Sequence, residues 1–322
     1  MKAFRVNDFE QKPSFQDIDR PIPSQGEVLV RIKACGLNFA DLLMLTGKYQ
    51  ETPALPFTPG LEVSGVVVAL GPNTNGPEID TPVAIFGGSG GLAEYGIFLV
   101  DRVAPIPTEM SFETAAGFQV AYGTSHLALE HRAKLKSGET LVVMGAAGGV
   151  GLTAVEIGKL MGATVIACAR GADKLAVAKA AGADHLLDTD TVDLRSAIKD
   201  LGGADVVYDA VGGDAFGEVF RACNPDARIL AIGFASGKIP DVKLNHMLVK
   251  NITLIGFYWG GYLKFAPEIL LDSMSQLMQW YAEGKLSPAI NQIVDFNQTE
   301  EALTMLRERR STGKIVVKVS ST

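Results

Sequence analysis

The stretch VVMGAAGGVGLTAVEIGKLMGATVIACARGADK, from Val142 to Lys174, decides the fold of this chain. It opens on an apolar run typical of a β-strand and then passes through a turn rich in glycine. Val150, Ala154 and Ile157 follow at spacings of four and three residues, which is the period of one helix face. A second apolar run begins at Thr164. Strand, glycine-rich turn, helix and strand together predict a βαβ unit with parallel strands.

The alternation of strands and helices continues after this unit. Apolar strands that are separated by helices indicate a parallel sheet with helices on both faces. Six such strands are what a doubly wound, dinucleotide-binding sheet of the Rossmann type contains. We therefore predict an α/β protein with a Rossmann domain over residues 118–257. The expected strands begin at Thr140, Thr164, His185, Ala204, Arg228 and Ile252.

The rest of the chain has a different character, with many Gly and Pro residues and short runs rich in Val and Ile. The runs EVLVRIKACGL from Glu27 and EVSGVVVALG from Glu62 are typical of strands in a compact β domain. Beyond Phe257 come two helical patterns and a terminal strand-like run, GKIVVKV. We predict one β-rich domain, formed by residues 1–117 and 258–322, into which the Rossmann domain is inserted.

Composition and charge exclude several classes of function. The chain is 47% hydrophobic and 20% charged, as expected for a soluble globular protein. Its formal net charge of -7 disfavours nucleic-acid binding, because an acidic surface repels phosphates. It lacks an apolar run of the roughly 18 residues that a membrane span needs. Three widely spaced cysteines fit a reducing compartment, so we expect a cytoplasmic protein.

The glycine-rich turn matches the dinucleotide template Gly-x-Gly-x-x-Gly imperfectly. The template positions fall on Ala146, Gly148 and Gly151, so alanine replaces the first glycine. The second glycine lets the backbone approach a pyrophosphate, and the third lets the helix pack closely. The start of the helix then offers free N–H groups and a partial positive charge. We assign the pyrophosphate to Ala147, Gly148, Gly149, Val150 and Gly151.

The end of the second strand predicts which dinucleotide is bound. A site that prefers NAD carries Asp or Glu about 20 residues after the glycine motif, bonded to the ribose 2′-hydroxyl. Here Ala169 takes that position, with Arg170 beside it and Lys174 one turn further. A carboxylate would repel a 2′-phosphate, whereas a guanidinium binds it with two hydrogen bonds. Arg170 and Lys174 therefore predict NADPH as the cofactor.

Further contacts to the cofactor are expected at the ends of later strands. Doubly wound sheets bind their ligands beyond the carboxyl ends of the strands. The fourth strand is expected to end near Val211, and Phe234 and Ser236 follow the fifth. We therefore add Val211, Phe234 and Ser236 to the predicted cofactor site.

With these residues, the chain resembles the medium-chain dehydrogenase/reductase superfamily, and within it the zinc-free, zeta-crystallin-like quinone oxidoreductases. The resemblance extends over nearly the whole length. It is carried by GLNFADLLMLTGKY, LPFTPGLEVSGVVVALG, GAAGGVGLTAVEIGK, GADHLLD and the terminal GKIVVKV. It implies a β-rich, GroES-like catalytic domain beside the Rossmann domain, and an oxidoreductase that transfers a hydride.

The resemblance also implies that no metal takes part. Zinc-dependent relatives place a Cys, a His-Glu pair and a later Cys or His around the metal. The matching positions here are Asn38, Leu61 followed by Glu62, and the segment AAGFQVAYG, which contains neither Cys nor His. Alcohol oxidation needs a Lewis acid. Without one, the expected reaction is hydride delivery to an acceptor that is already electrophilic, such as a quinone or an enone.

The family pattern also implies which side chains stand beside the nicotinamide. They are Asn38, Asp41 and Tyr49. Asn38 is expected to donate an N–H to a carbonyl oxygen and Tyr49 to donate its O–H, while Asp41 braces the segment. Some relatives have a second Tyr in this segment, where this chain has Leu43. That difference puts a mechanism with two tyrosines in doubt.

The segment FYWGGY and the end of the chain complete the implied site. Phe257, Trp259 and Gly260 are expected either to border the nicotinamide or to pack between the domains, and Lys314 is expected to contact the cofactor. Relatives pair their sixth strands edge to edge. The apolar segment Ile252–Phe257 would be an exposed edge in a monomer, so we expect a homodimer through it.

Three functions remain open from the sequence. The first is NADPH-dependent reduction of small quinones by hydride transfer without metal. The second is reduction of the double bond of an enone or an enoyl thioester, for which the same site would serve. The third is a non-catalytic NADPH-binding protein. In all three the expected partners are small molecules and a second copy of the chain, with neither nucleic acid nor membrane.

Overall fold

The computed structural model describes residues 1–319. It separates into two compact units, the first formed by Met1–Val120 with the residues from Pro288 onward, and the second by Ala121–Ser287. The second unit is therefore inserted into the first, and the chain returns to the first unit at Pro288. Residues 258–287 belong to the second unit, whereas the prediction placed them in the first. Residues 320–322 of the predicted first domain lie outside the described residues.

The N-terminal part of the first unit contains seven strands and a short helix, and a longer helix runs across the boundary between the units. The elements are β1 Lys2–Arg5, β2 Ser14–Asp17, β3 Glu27–Gly36, α1 Phe39–Met44, β4 Glu62–Leu70, β5 Pro82–Phe86, β6 Tyr95–Leu99, a 3-10 turn Val100–Arg102, β7 Val103–Pro105 and α2 Phe112–His126.

The second unit alternates strands with helices, beginning with the π-helical turn that continues α2. The elements are the π turn Leu127–Arg132, β8 Thr140–Met144, α3 Gly149–Leu160, β9 Thr164–Ala169, α4 Ala172–Ala180, β10 His185–Asp188, α5 Leu194–Asp200, β11 Ala204–Asp209, α6 Asp214–Ala222, β12 Cys223–Ala231, α7 Leu244–Leu248, β13 Thr253–Gly256, a 3-10 turn Trp259–Gly261, α8 Tyr262–Phe265 and α9 Pro267–Ala282.

The chain then returns to the first unit. The elements are β14 Ile290–Asp295, a 3-10 turn Phe296–Gln298, α10 Thr299–Arg307 and β15 Lys314–Lys318. The last strand pairs antiparallel with β3, in the register Val316 to Gly36 and Val317 to Cys35. The resulting sheet has the order β14-β15-β3-β4-β5-β7, with β6 on the free part of β3. Strands β3 to β7 and the late strands β14 and β15 therefore build one sheet, whereas β1 and β2 form a separate antiparallel pair.

The second unit is a doubly wound parallel sheet, as predicted. Its order is β10-β9-β8-β11-β12-β13, and each of the neighbouring pairs is parallel. Taking β8 as the first strand, this order is 3-2-1-4-5-6, which reverses direction between β8 and β11. Three strands differ in extent from the prediction, because β11 ends at Asp209, β12 begins already at Cys223 and β13 covers only Thr253–Gly256 of the expected Ile252–Phe257. All six predicted strands are present.

Helix α9 explains why the second unit extends to Ser287. Ser273, in its middle, has its hydroxyl 2.8 Å from Nδ1 of His126, and both side chains are buried. Trp280 packs its ring edge-on against the same histidine, with the ring centroids 5.1 Å apart. Leu277 is fully buried. The helix therefore packs against His126 of α2 within the second unit. None of the described helices is long and apolar enough to cross a membrane.

Candidate functional site

The turn between β8 and α3 is shaped by Gly145, a residue that the template match passed over. Its φ of +73° lies in the left-handed region, which favours glycine. The N–H groups of Gly145 and Ala146 both donate to the carbonyl oxygen of Cys168, at 3.0 and 3.1 Å. The position that requires glycine for its backbone conformation is therefore Gly145, one residue before Ala146, where the template places its first glycine. The signal was available in the sequence, because Gly145 directly follows the strand.

The other two glycines of the turn have different reasons for being glycine. A β-carbon on Gly151 would overlap the carbonyl oxygen of Gly145, so the protein itself excludes a side chain there. A β-carbon on Gly148 would lie 3.4 Å from the same oxygen, which is close to an ordinary contact, and its φ is −79°. No other neighbouring atom lies within 4 Å of this β-carbon position, so the space beside Gly148 is open.

The first turn of α3 presents unpaired donors beside this space. Gly148 is the N-cap residue, and the helical hydrogen bonds begin with the N–H of Leu152, which donates to the carbonyl oxygen of Gly148 at 2.9 Å. The N–H groups of Gly149, Val150 and Gly151 precede that bond and have no partner within the helix. The helix dipole adds positive potential at the same end. This arrangement suits a phosphate group.

The predicted 2′-phosphate residues stand at the end of β9. Arg170 is exposed and directly follows the last residue of that strand, and Lys174 lies in the first turn of α4. The sequence analysis missed Asp188, the last residue of β10, which pairs in register with Ala169. Its carboxylate accepts the N–H of Gly171 at 3.2 Å, so a structural hydrogen bond engages it.

The loops after β11 and β12 meet above the glycine turn. A β-carbon on Gly145 would lie 2.8 Å from Cγ2 of Val211, which places Val211 against the turn. The N–H of Ser236 donates to the carbonyl oxygen of Val211 at 3.0 Å. Phe234 is 36% exposed, and its ring lies near Gly212. The structure thus brings Val211, Phe234 and Ser236 together at the carboxyl edge of the sheet.

A buried acid that the sequence analysis missed shapes the first of these loops. Asp209, the last residue of β11, accepts the N–H groups of Val211 and Gly212 at 2.8 and 2.9 Å. Burial raises the pKa of Asp209, and the two N–H donors oppose that shift. The available signal was a single charged residue at the end of an apolar strand. Asp209 fixes the loop that carries Val211.

Phe257, Trp259 and Gly260 are mostly enclosed within the second unit. Trp259 is 5% exposed, and a β-carbon on Gly123 would lie 2.6 Å from its Nε1, so the indole packs against α2. The ring of Phe257 lies 6.0 Å from that of Tyr262. Of the two roles expected for these aromatics, packing is the one for which the structure shows contacts, and those contacts are internal to this unit.

In the first unit, residues from three distant stretches of the chain form a buried cluster of polar groups, the Lys314 cluster, which consists of Leu37, Asn38, Glu62 and Lys314. The ammonium of Lys314 donates to the carbonyl oxygen of Leu37 at 2.9 Å, to Oδ1 of Asn38 at 2.8 Å and to Oε1 of Glu62 at 2.6 Å. The side chain of Lys314 is 6% exposed and that of Glu62 is 1% exposed. This is a desolvated ion pair with one additional polar side chain.

The cluster changes the roles expected for Lys314 and Asn38. An ammonium has three N–H donors, and all three are used within the first unit, so none is left for a cofactor phosphate. The Nδ2 group of Asn38 donates to Oε1 of Glu62 at 2.9 Å and to the carbonyl oxygen of Gly36 at 3.3 Å. Both of its N–H groups are therefore engaged, and neither remains to bind the oxygen of an acceptor.

Asp41 braces the same segment from the other side. One carboxylate oxygen accepts the N–H of Asn38 at 2.8 Å, which caps α1, and the other accepts the N–H of Gly60 at 2.9 Å. Burial raises the pKa of Asp41, these two N–H donors and the charge of Lys314 oppose the shift, and the resulting pKa is about 7.

Tyr49 follows α1 and is half-buried. Its backbone carbonyl accepts the hydroxyl of Thr52 at 2.8 Å.

Comparison with known proteins identifies the family. The family model described as zinc-binding dehydrogenase matches residues 149–282, and the alcohol dehydrogenase GroES-like domain matches residues 24–108. A quinone oxidoreductase-like protein 2 homolog of Nematostella vectensis is 37% identical over 297 residues, covering 90% of this chain and 81% of that protein. The chain is therefore an oxidoreductase of the medium-chain dehydrogenase/reductase superfamily, and belongs to its quinone oxidoreductase branch, as predicted.

Solved structures agree with that assignment. The quinone oxidoreductase of Thermus thermophilus, whose structures include a complex with NADPH, superposes with a TM-score of 0.88 at 31% identity, covering 99% of this chain and 100% of that chain. The Escherichia coli quinone oxidoreductase complexed with NADPH superposes with a TM-score of 0.89 at 25% identity, covering 99% of each chain. Both domains of this chain thus have the fold predicted from sequence.

The donor set of the Lys314 cluster does not fit the zinc that the name of one family model implies. Zinc sites in proteins use Cys, His and carboxylate ligands, commonly four in a tetrahedron. Here the cluster offers one carboxylate, and an ammonium already neutralises it. The part of the chain that the structure describes contains no group of three or more His, Cys, Asp and Glu side chains able to hold a metal ion. No step of the reaction is therefore assigned to a metal.

Proposed function

We propose that this chain is an NADPH-dependent reductase of small quinones that transfers a hydride without a metal. The observation that carries the proposal is the turn from Gly145 to Gly151, which leaves room beside Gly148 and aims the first N–H groups of α3 at that room. Relatives and structural neighbours that are named quinone oxidoreductases, two of them solved with NADPH, support the cofactor and the acceptor.

Each residue of the proposed cofactor site has a defined task. The N–H groups at the start of α3 bind the pyrophosphate, and Arg170 and Lys174 bind the 2′-phosphate. Val211, Phe234 and Ser236 border the cofactor beyond the sheet edge. When bound, the reduced nicotinamide supplies the hydride. The residues of the chain hold it in place and keep water away from it.

Tyr49 is the proposed polar contact to the acceptor. The family pattern implied two donors to the acceptor oxygen, and Asn38, the other one, has both of its N–H groups engaged. The hydroxyl of Tyr49 donates to the acceptor oxygen on which charge develops. One hydride and one proton convert a quinone to a hydroquinone, with the proton drawn from solvent through this hydroxyl.

The loss of reduced-nicotinamide absorbance tests this function. Protein dialysed against EDTA is mixed with NADPH and either a benzoquinone or an enone. We expect oxidation to be fastest with the quinone and to be unaffected by the chelator. Oxidation with the enone alone would assign the chain to the double-bond reductases. Binding of NADPH without turnover of either acceptor would favour a non-catalytic protein, and activity lost with the metal would refute the zinc-free proposal.

Arg170→Ala tests the choice of cofactor. We expect the Kd for NADPH to rise about 10- to 100-fold, because a hydrogen bond to a charged group contributes about 1.5–3 kcal/mol. The Kd for NADH should remain unchanged. Lys179→Ala, which removes a cation near the far end of α4, is the control and should alter neither value. Equal losses for both dinucleotides would contradict the assignment of Arg170 to the 2′-phosphate.

Tyr49→Phe tests the acceptor contact. We expect kcat to fall about tenfold, since water replaces part of the donation from a half-buried phenol. The KM for NADPH should not change, because the cofactor residues belong to the second unit. Tyr95→Phe, in β6, provides a control that removes a different phenol from the first unit. A kcat equal to that of the wild type would make Tyr49 a packing residue.

We also propose a homodimer that forms through Ile252–Phe257. Strand β13 lies at one end of the parallel sheet, and Leu254 on it is 39% exposed. In the nearby helix α7, Leu244 and Leu248 are each 76% exposed. A free, apolar strand edge of this kind favours pairing with a second copy.

We further propose a cytoplasmic location, since the three cysteines are free and buried.

Leu254→Lys tests the dimer by sedimentation velocity. A charge on the paired edge should shift the protein from dimer to monomer at micromolar concentration. Ile293→Lys is the matched control, because Ile293 is 54% exposed on β14, which ends the other sheet. That control should sediment as the wild type does. A monomeric wild type, or a Leu254→Lys variant that stays dimeric, would exclude this interface.

A further inference from the structure

The Lys314 cluster occupies the positions that the family resemblance assigns to a metal site. Asn38 stands at the first ligand position and Glu62 follows the second, while the third falls in the α2 segment, where Val120 donates its N–H to Oε2 of Glu62 at 3.0 Å. We propose that Lys314 is a positioning residue whose ammonium is a built-in cation, which holds Asn38 and Glu62 in place and thereby orients the segment that carries Tyr49. The part concerning Tyr49 depends on the proposed function.

The electrostatics of the cluster require a cation at this point. Glu62 is fully buried, and its carboxylate accepts from Lys314, Asn38 and Val120. A buried carboxylate without a compensating charge is strongly unfavourable. The ammonium lies 2.6 Å from Oε1 of Glu62 and neutralises it. Its tetrahedral donors are matched by three acceptors, so the site is complete without a further ligand.

The connection from Lys314 to Tyr49 runs through α1. The ammonium binds the carbonyl oxygen of Leu37 and the side chain of Asn38, which are the two residues preceding the helix. Helix α1 is short, and the N–H of Lys48 folds back onto the carbonyl oxygen of Leu43 at 2.9 Å. Tyr49 therefore follows the orientation of α1, which the ammonium sets at the helix N-terminus.

Lys314→Ala provides the direct test, because it leaves a cavity with the shape of n-propylamine beside an uncompensated carboxylate. We expect kcat to fall about a hundredfold, since small displacements at a reacting centre have effects of this size. The KM for NADPH should be unchanged. Millimolar n-propylamine should restore much of the kcat, whereas n-propanol, which has the same shape and no charge, should not.

Lys314→Met keeps the volume and removes the charge. It should fold, lose kcat to a similar extent and fail to respond to n-propylamine, because the methionine side chain fills the cavity. Lys318→Met, on the same strand, is the matched control and should behave as the wild type. A Lys314→Met enzyme with wild-type kcat would overturn the proposal, and so would a folded Lys314→Ala enzyme that no amine restores.

Thermal unfolding separates this proposal from the proposed function. n-Propylamine should raise the Tm of Lys314→Ala while leaving that of the wild type and of Lys314→Met unchanged, whatever acceptor the protein uses. A Tm rescue in a protein that reduces neither quinone nor enone would support the built-in cation and reject the reductase. If the wild type is active and the amine changes neither the Tm nor the kcat of Lys314→Ala, the proposal of a built-in cation is rejected and the proposed reductase function stands.

Discussion

Replacing Gly151 with alanine is expected to weaken NADPH binding by about a thousandfold, which corresponds to about 4 kcal/mol. The new β-carbon would overlap the carbonyl oxygen of Gly145, so the turn has to move away from α3. Two or three hydrogen bonds from the N–H groups to the phosphates would then be lost, at about 1.5–3 kcal/mol each. Titration calorimetry with NADPH gives the Kd directly.

Substitutions at two other glycines distinguish an effect on protein stability from an effect on NADPH binding. Gly148→Ala should keep the Tm of the wild type, because its β-carbon fits the protein, yet it should weaken NADPH binding by filling the space beside the phosphate. Gly217→Ala, in α6, is the control, since its β-carbon meets no atom closer than 3.6 Å. It should bind NADPH normally and unfold at the same Tm or higher. Normal NADPH binding by Gly151→Ala would remove the turn from the cofactor site.

Replacing Glu62 with methionine is expected to lower the free energy of unfolding by about 3–5 kcal/mol. The substitution leaves the ammonium of Lys314 buried without a counter-charge, and it removes the acceptor for the N–H of Val120. Unfolding in urea, followed by circular dichroism, measures the loss. Because NADPH also stabilises the folded state, the comparison is made without the dinucleotide.

A double variant distinguishes a stabilising pair from a costly one. Glu62→Met combined with Lys314→Met removes both charges, and such replacements of buried ion pairs are often neutral or better. We expect the double variant to be more stable than Glu62→Met alone. Glu300→Met is the control, because Glu300 and Lys12 form an exposed pair, and its loss should change the stability by less than about 1 kcal/mol. A Glu62→Met protein as stable as this control would show that the buried pair is not required.

The strands and the glycine-rich turn could be predicted because their signals are local. The run from Val142 to Lys174 contains a strand, a turn and a helix in direct succession, and the spacing of its apolar residues distinguishes them. The same reasoning located the six parallel strands. At the turn, the prediction was wrong by one residue. The template fitted Ala146 as the first position, whereas the positive φ belongs to Gly145.

The roles of Lys314 and Asn38 depended on contacts that no local pattern contains. Lys314 lies 252 residues from Glu62 and 276 residues from Asn38, and the pairing of β15 with β3 brings them together. The point at which the chain returns to the first unit also depends on a distant contact. Helix α9 belongs to the parallel-sheet unit because Ser273 on it contacts His126.

The sequence by itself determined the family, the parallel sheet and the glycine-rich turn between the first parallel strand and its helix. These features depend on the spacing of hydrophobic residues and on glycines within a few residues of one another. Both signals are local in the sequence. Only the tertiary structure decided that Asn38 has no N–H left for an acceptor and that Lys314 neutralises Glu62. A side chain's hydrogen bonds depend on which donors and acceptors the folded chain places within about 3 Å of it, and sequence distance carries almost no information about that.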